Sequence, residues 1–493
     1  ANRRSFKALV VLKMLVLSRI AAVLGLVLAV IKFTNATFAN PKAAEYKVPK
    51  RVPGIPFALN DSYAGYVPVA KNDSSRAIYF WMFPAEKPTR NTILWLQGGP
   101  GCSGLQGAFQ ETGPFTLAYN SSTVVKNPHS WSSVANLIYV DQPIGTGLSK
   151  GSTRIKDETG LSGELIGFLE GFFSVFTELK GTSLWLAGES FGGKYAFYLA
   201  DAIYNRPAAV NAAAGINLQG LATIDATLGD ARLLSDIPSV AFAKAHHRDL
   251  KLSKAFLVNV TKDARKYGIY DYMDKHLTYP PSGPLPRPAI FDSGDIDYQP
   301  WSDIYGEAQT RVGPSFNLYN IMPKFSWWPF TDPLGQSPTD GHSADNFVNK
   351  VKGFKAAINA DPSITYYACT RQKVFRYKVD LSAPPAGPLM NSVLERNQRT
   401  LIQHGLLDFL YLANGTRMIL QNATWGGQQG FQSRPNQQLL VNGKPGGIFH
   451  SERKVAYIEY NSAGHQIPTY QPAAALKAIK YLIGDIGLQD LGK

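Results

Sequence analysis

The stretch Gly188-Glu189-Ser190-Phe191-Gly192 constrains this chain most, because it fits G-x-S-x-G between an apolar run, SLWLAG (183–188), and a helix-like run, SFGGKYAFYLADAIY. Small residues at 188, 192 and 193 let a strand turn sharply into a helix without steric clash. That turn sets the serine oxygen at a helix N-terminus, where backbone N–H groups face outward. It also requires a buried strand before it and a packed helix after it, which points to an α/β sheet. An ordinary glycine-rich turn has the same composition, so the rest of the chain has to supply a base and an acid.

Further strands are legible on both sides. AIYFWMF and TILWLQ (within 77–97), split by PAEKPTRN, read as a strand, a loop and a buried strand, and NLIYVDQP (136–143) and INLQGLATID (216–225) continue the pattern. Strands alternating with helical segments predict a mostly parallel sheet flanked by helices. From about 226 to 365 the pattern changes to helical segments broken by TYPPSGPLPRP and PKFSWWPFTDPLG, which predicts an inserted, mainly helical cap subdomain. The sheet resumes at TLIQHG (400–405) and KVAYIEYN (454–461), and QPAAALKAIKYLI closes the chain as a helix. The expected organisation is a targeting segment at 1–39, core at 40–225, cap at 226–365 and core again at 366–493.

The composition sets limits. With 493 residues, 45% hydrophobic and 17% charged, the chain can bury a large core, which excludes disorder as its main state. Its two cysteines, Cys102 and Cys369, exclude a Cys₄ zinc site and allow at most one bridge. The net charge is +14, but Arg3, Arg4, Lys7, Lys13, Arg19 and Lys32 supply six charges within the first 39 residues. The other cations are dispersed, and no basic helix, zinc finger or aromatic RNA-binding signature is present, so nucleic acid is not an expected partner.

IAAVLGLVLAVI (20–31) is an apolar run of 12 residues behind cations, followed by Ala36, Phe38 and Ala39, and it reads as a secretory signal with a cleavage site. Met14 opens a complete signal layout, so residues 1–13 are expected to be upstream sequence. Lys13 and Arg19 argue against a retained bilayer span, so no stable span is expected in the mature form. Asn-x-Ser/Thr sequons occur at Asn35, Asn60, Asn72, Asn120, Asn259, Asn414 and Asn422. Together with the signal they predict a glycosylated protein in an oxidising route, secreted or vacuolar, where Cys102 and Cys369 can pair.

Serine is a poor nucleophile near neutral pH, and needs a base that an acid holds in one tautomer. After Ser190 the strand TLIQHG leads to Asp408, and KVAYIEYN leads through Ser462-Ala463-Gly464 to His465, each one loop beyond a strand end. The order Ser190, Asp408, His465 is the one this fold class uses. Phe191, next after the nucleophile, supplies one oxyanion N–H, and Gly99 in Gln97-Gly98-Gly99-Pro100-Gly101 supplies the second. No His/Cys/carboxylate cluster has ligand spacing, so neither a metal nor an organic cofactor is expected.

WLQGGPGCSG (95–104), QETGPF (110–115), NLIYVDQPIGTGLS (136–149), LAGESFGGKY (186–195), HGLLDF (404–409), NATWGGQQGF (422–431) and NSAGHQIP (461–468) follow one another in the order of the serine carboxypeptidase blocks. The chain thus resembles that family of α/β-hydrolase enzymes, fungal members above all. The resemblance implies C-terminal amino-acid release from peptides, with the triad on Ser190, Asp408 and His465 and oxyanion donors on Gly99 and Phe191. It implies binding of the substrate carboxylate by Gln97, Gly98, Glu111 and Glu189 beside Trp95. Adjacent carboxyls cannot both ionise cheaply, so a shared proton there implies best activity at acidic pH.

The sequence departs from the family at two points. Gln97 replaces the usual Asn and is one methylene longer, which puts its amide about one bond length out of register unless the loop shifts. An acyltransferase or esterase on the same triad is therefore the alternative, ahead of a non-catalytic secreted binding protein. Where many members carry several disulfides, this chain has two cysteines, and the resemblance implies that Cys102 and Cys369 pair, tying the oxyanion loop to the segment after the cap.

Overall fold

The structure, a computed structural model, describes residues 38–117, 123–288, 291, 298–313, 316–322 and 344–493. The targeting segment up to residue 37 with Asn35, the sequon at Asn120 and the PKFSWWPFTDPLG stretch lie outside the described residues. Eleven strands form one sheet. In chain order they are β1 (Lys47–Val48), β2 (Ser62–Pro68), β3 (Ala77–Phe83), β4 (Asn91–Leu96), β5 (Asn136–Asp141), β6 (Ser183–Glu189), β7 (Leu218–Ile224), β8 (Arg399–Gly405), β9 (Gln437–Val441), β10 (Lys444–Glu452) and β11 (Val455–Tyr460). Helices that cover the sheet or border its C-terminal edge are α1 (Gly104–Gln110), α2 (Glu158–Val175), α3 (Phe191–Tyr204), α4 (Ile237–Ala245), α5 (Lys254–Lys266), α6 (Pro300–Val312), α7 (Ala413–Asn422) and α8 (Pro472–Leu482).

In space the strands run β1-β2-β3-β5-β4-β6-β7-β8-β11-β10-β9. From β5 to β11 the neighbours are parallel, which is the block expected from alternating strands and helices. Both margins are antiparallel. The two-residue β1 ends one edge and leaves little backbone open to pairing with another chain.

The central strands are covered on both faces, which is why they read as unbroken apolar runs. β3 is buried at every position. Ile78, Phe80 and Met82 join Phe168 and Phe172 of α2 and Phe197 of α3 on one face, whereas Tyr79, Trp81 and Phe83 join Phe109 of α1 on the other. Ala475, Ile479 and Leu482 of α8 complete that second face. Each fully buried phenyl ring contributes about 1.5–3 kcal/mol, and trimming Phe172 to Ala costs about 3–5 kcal/mol.

Between β7 and β8, α4, α5 and α6 carry a separate apolar cluster that includes Ile237, Val240, Val260 and Ile304, and extends to Leu407, Phe409 and Leu412 beyond β8. Gln97 follows β4, Ser190 follows β6, Asp225 follows β7, Asp408 lies beyond β8 and His465 beyond β11. All leave the C-terminal edge of the parallel block, where open α/β sheets bind ligands. Among the described residues, no helix is long and apolar enough to cross a membrane.

Candidate active site

Ser190 is the one residue between β6 and α3, and it sits at φ 58°, ψ −125°, a conformation that non-glycine residues rarely adopt. Its N–H donates to Ile224 O at 2.9 Å, and its carbonyl accepts from Thr227 N at 3.0 Å and Gly193 N at 3.1 Å. Those bonds hold the strained turn. The loop after β4 packs directly on it: a Cβ built on Gly98 would stand 2.7 Å from both Phe191 N and Ser190 Cβ. Glycine at 98 is thus a steric requirement, and it brings the Gly99 loop to the start of α3.

That loop is fastened on three sides. A disulfide joins Cys102 to Cys369, flanked by Ser103 N to Ala368 O at 2.7 Å and Thr370 N to Gly101 O at 2.9 Å. Gln142 Nε2 donates to Gln97 O at 3.0 Å. Asp141 accepts from the Ser103 hydroxyl and from Leu148 N, and burial pushes its carboxyl up to about 6.

The loops of Asp408 and His465 meet because Gly405 has no side chain. A Cβ there would lie 2.2 Å from Gly464 O and 2.6 Å from Ala463 O. Leu406 N donates to Tyr460 O at 3.0 Å and Leu407 N to Ala463 O at 2.9 Å, while His465 N donates to Tyr319 O at 2.7 Å. The result is a buried pair: His465 Nδ1 is 2.7 Å from Asp408 Oδ2, and Leu410 N donates to Asp408 Oδ1 at 2.8 Å. Because the carboxylate side accepts, Nδ1 carries the proton and Nε2 is left to take one. Burial pulls the imidazole pKa down, but Asp408's charge and hydrogen bond, with Glu189 beyond, outweigh it, and the net direction is up.

Beside Ser190 is a chain of polar groups. Trp95 Nε1 donates to Gln97 Oε1 at 2.8 Å, and Gln97 Nε2 donates to Glu189 Oε1 at 2.6 Å. An indole N–H can only donate, which fixes the amide orientation and leaves Glu189 as acceptor. Glu111, 2% exposed, hydrogen-bonds Glu189, also 2% exposed. Burial pushes the Glu189 carboxyl up, against the opposing Glu111 bond, His465 charge and Gln97 bond. Two carboxyls in contact in a dry site need a proton between them.

A sequence model of the family described as serine carboxypeptidase matches residues 53–485. The chain belongs to the serine carboxypeptidase family. It is 35% identical over 454 residues to a carboxypeptidase Y homolog of Arthroderma benhamiae, covering 90% of this chain and 87% of that one. It is 30% identical over 485 residues to the serine-type carboxypeptidase F of Aspergillus niger, covering 91% and 88%. Its fold is also that of a prohormone-processing carboxypeptidase from Saccharomyces cerevisiae, at a TM-score of 0.70 and 20% identity, over 91% of this chain and 97% of the other. The fold is α/β-hydrolase, as expected.

In this serine carboxypeptidase the residues picked from sequence fall into three adjoining groups: Ser190 with Gly98, Gly99 and Phe191; Asp408 with His465; and Trp95, Gln97 and Glu189 with Glu111. Asn60, Asn72, Asn259 and Asn422 are exposed, whereas Asn414 is half-buried and its sequon Thr416 is buried against His404 Nδ1. His404 lies in its strand, β8, as the sequence suggests, but sequence reasoning missed Asp225 and the cluster it forms with His404 and Asp408. Ligand-type atoms of Asp225, His404 and Asp408 lie within 4.8 Å of one another. The His404 nitrogens already face Tyr411 O and Thr416 Oγ1, and the Asp408 oxygens face Leu410 N and His465, so the set is a hydrogen-bond cluster rather than a cation cage.

Proposed function

We propose that this serine carboxypeptidase releases C-terminal amino acids from peptides through an acyl-enzyme on Ser190, and does so best at acidic pH. The observation that carries the reading is the Trp95–Gln97–Glu189 chain, joined to Glu111, immediately before Ser190. When the two carboxyls share a proton, the pair donates to a substrate carboxylate instead of repelling it, and the Gln97 amide and Gly98 N–H add donors. That arrangement selects a free C-terminus.

Ser190 Oγ attacks the carbonyl carbon of the last peptide bond while its proton passes to His465 Nε2. Asp408 orients the imidazole and stabilises its positive charge. The N–H groups of Gly99 and Phe191 hold the oxyanion. His465 then returns the proton to the leaving amine, the C–N bond breaks, and water, activated by the same base, hydrolyses the acyl-enzyme. The apolar N-terminal run, the exposed sequons and the Cys102–Cys369 bridge support a glycosylated protein of the secretory route, secreted or vacuolar.

The test is amino-acid release from an N-blocked dipeptide by the natural protein and by Ser190→Ala, together with labelling by a fluorophosphonate probe. Release and labelling that both vanish in the variant support the reading. Ester cleavage without amino-acid release would favour an esterase or acyltransferase instead.

A further inference from the structure

Asp225 is unused by the chemistry above, yet it leaves the sheet at the same edge. It is fully buried, with a φ of 43°. Its N–H donates to Gln403 O at 3.0 Å, and its Oδ1 accepts from Gly405 N at 2.9 Å. Its Oδ2 is buried and has no hydrogen-bond donor among the described residues. A carboxyl oxygen in that position is costly unless it carries a proton that it can donate.

The acceptor is at hand. Asp408 lies within 4.8 Å, and both of its oxygens already take donors, Leu410 N and His465 Nδ1. Asp225 takes one. His404 cannot supply the missing donor: its Nε2 lies 3.0 Å from Tyr411 O and 3.4 Å from Asp225 Oδ1, and its Nδ1 lies 3.0 Å from Thr416 Oγ1. The Nε2 proton thus goes to the Tyr411 carbonyl, Nδ1 accepts from Thr416, and burial favours the neutral ring. Besides Asp408, the titratable groups that act on Asp225 are Glu189 at the end of β6 and Tyr460 of β11; His465 is reached through Asp408 and Glu189. Among the described residues, none is a lysine or arginine paired with it. Burial first, then the charge of Asp408, drives the Asp225 carboxyl well above the ordinary range.

We propose that Asp225 is a positioning residue: its carboxyl is protonated and donates from Oδ2 to Asp408, so fixing the carboxylate that orients His465. The proposal rests on the reading of Ser190, Asp408 and His465 as the catalytic triad. It makes a prediction of sign. Without the donated hydrogen bond the Asp408 carboxylate concentrates its charge on His465, holds the His465 proton more tightly, and moves the acidic limb of the pH profile up. An ionised Asp225 would instead be a second negative charge beside His465, and neutralising it would move the limb down.

The experiment measures kcat and KM for an N-acyl amino-acid ethyl ester from pH 4 to 9, with the natural protein, Asp225→Asn, Asp225→Ala and Ser190→Ala. The ester has no free carboxylate, so carboxylate recognition by the Glu111–Glu189 pair is not read, and the influence of Glu189 on His465 is common to all the variants compared. Asn tolerates φ near 43°, and its Nδ2 can donate where the acid did. Asp225→Asn is expected to keep kcat within about threefold and the acidic limb within about 0.2 pH unit. Asp225→Ala is expected to lose about tenfold or more in kcat at little-changed KM, with the limb raised by about half a unit. A downward shift in Asp225→Asn overturns the proposal. So does full activity in Asp225→Ala, or an equal loss in both variants with no shift. If the Ala variant does not fold, the sign of the Asn shift decides. Ester hydrolysis that survives in Ser190→Ala would overturn the triad reading itself, a result separable from all of these.

Discussion

Gln97 Nε2 donates to Glu189 Oε1 at 2.6 Å while its Oε1 accepts from Trp95 Nε1 at 2.8 Å, so one amide couples the oxyanion loop to the residue before Ser190. The Gln97 side chain spans from the indole to the carboxyl. The amide is buried, at 3% exposed, and held at both ends. It is thus held in one orientation, as the proposed carboxylate site requires.

The shared proton sets a pH dependence. Glu189 is raised by burial, so it is protonated in acid and ionises as pH climbs through its raised value. KM for a free-acid dipeptide is expected to rise about tenfold from pH 5 to pH 7.5, with little change for an ester substrate. Glu189→Gln keeps a neutral donor and is expected to flatten that rise, which steady-state kinetics on the two substrates would show.

Gly98→Ala tests the oxyanion geometry, because the added Cβ lands 2.7 Å from Phe191 N. A loss of about 10²–10³ in kcat is expected, with a native circular-dichroism spectrum and slow fluorophosphonate labelling.

Stability should favour acid. Asp141, raised to about 6 by burial, and Glu164 and Glu189, also raised by burial, bind protons more tightly folded than unfolded. Their contribution is complete below the ordinary carboxylate range and is lost as pH rises through the folded values, from about 4 to 6 for Asp141. His465, raised in balance, acts in the same sense at higher pH. Calorimetry is expected to give a higher Tm at pH 5 than at pH 7.5, and Asp141→Asn to reduce the difference.

Cys102 and Cys369 close a loop across 267 positions of sequence. Cys369→Ser is expected to cost about 2–5 kcal/mol in denaturant unfolding and to lower kcat more than it raises KM, because the bridge fastens the oxyanion loop.

The positions of Gly99, Ser190, Asp408 and His465 were legible because each sits within a few residues of a strand end, where local pattern carries the information. The central strands were legible as doubly buried apolar runs. The margins were not: β2 contains Gly65 and Pro68, β10 opens Lys-Pro-Gly-Gly, and β9 carries Gln437 and Gln438, so none shows an apolar run. α2, whose glycines let Phe168 and Phe172 pack closely on the sheet, has a composition that does not read as helix. Asp225 was hidden for another reason. An acid after a strand is an ordinary turn residue, and its relation to Asp408 exists only once β7 and β8 are side by side.

The most direct measurement compares kcat/KM for an N-blocked dipeptide and for its C-terminal amide at pH 5 and pH 7.5. A preference for the free acid of about 10²-fold or more at pH 5 is expected, from paired charged hydrogen bonds to the carboxylate, narrowing at pH 7.5. Equal rates on acid and amide at both pH values would contradict a carboxylate site built from Gln97, Glu111 and Glu189.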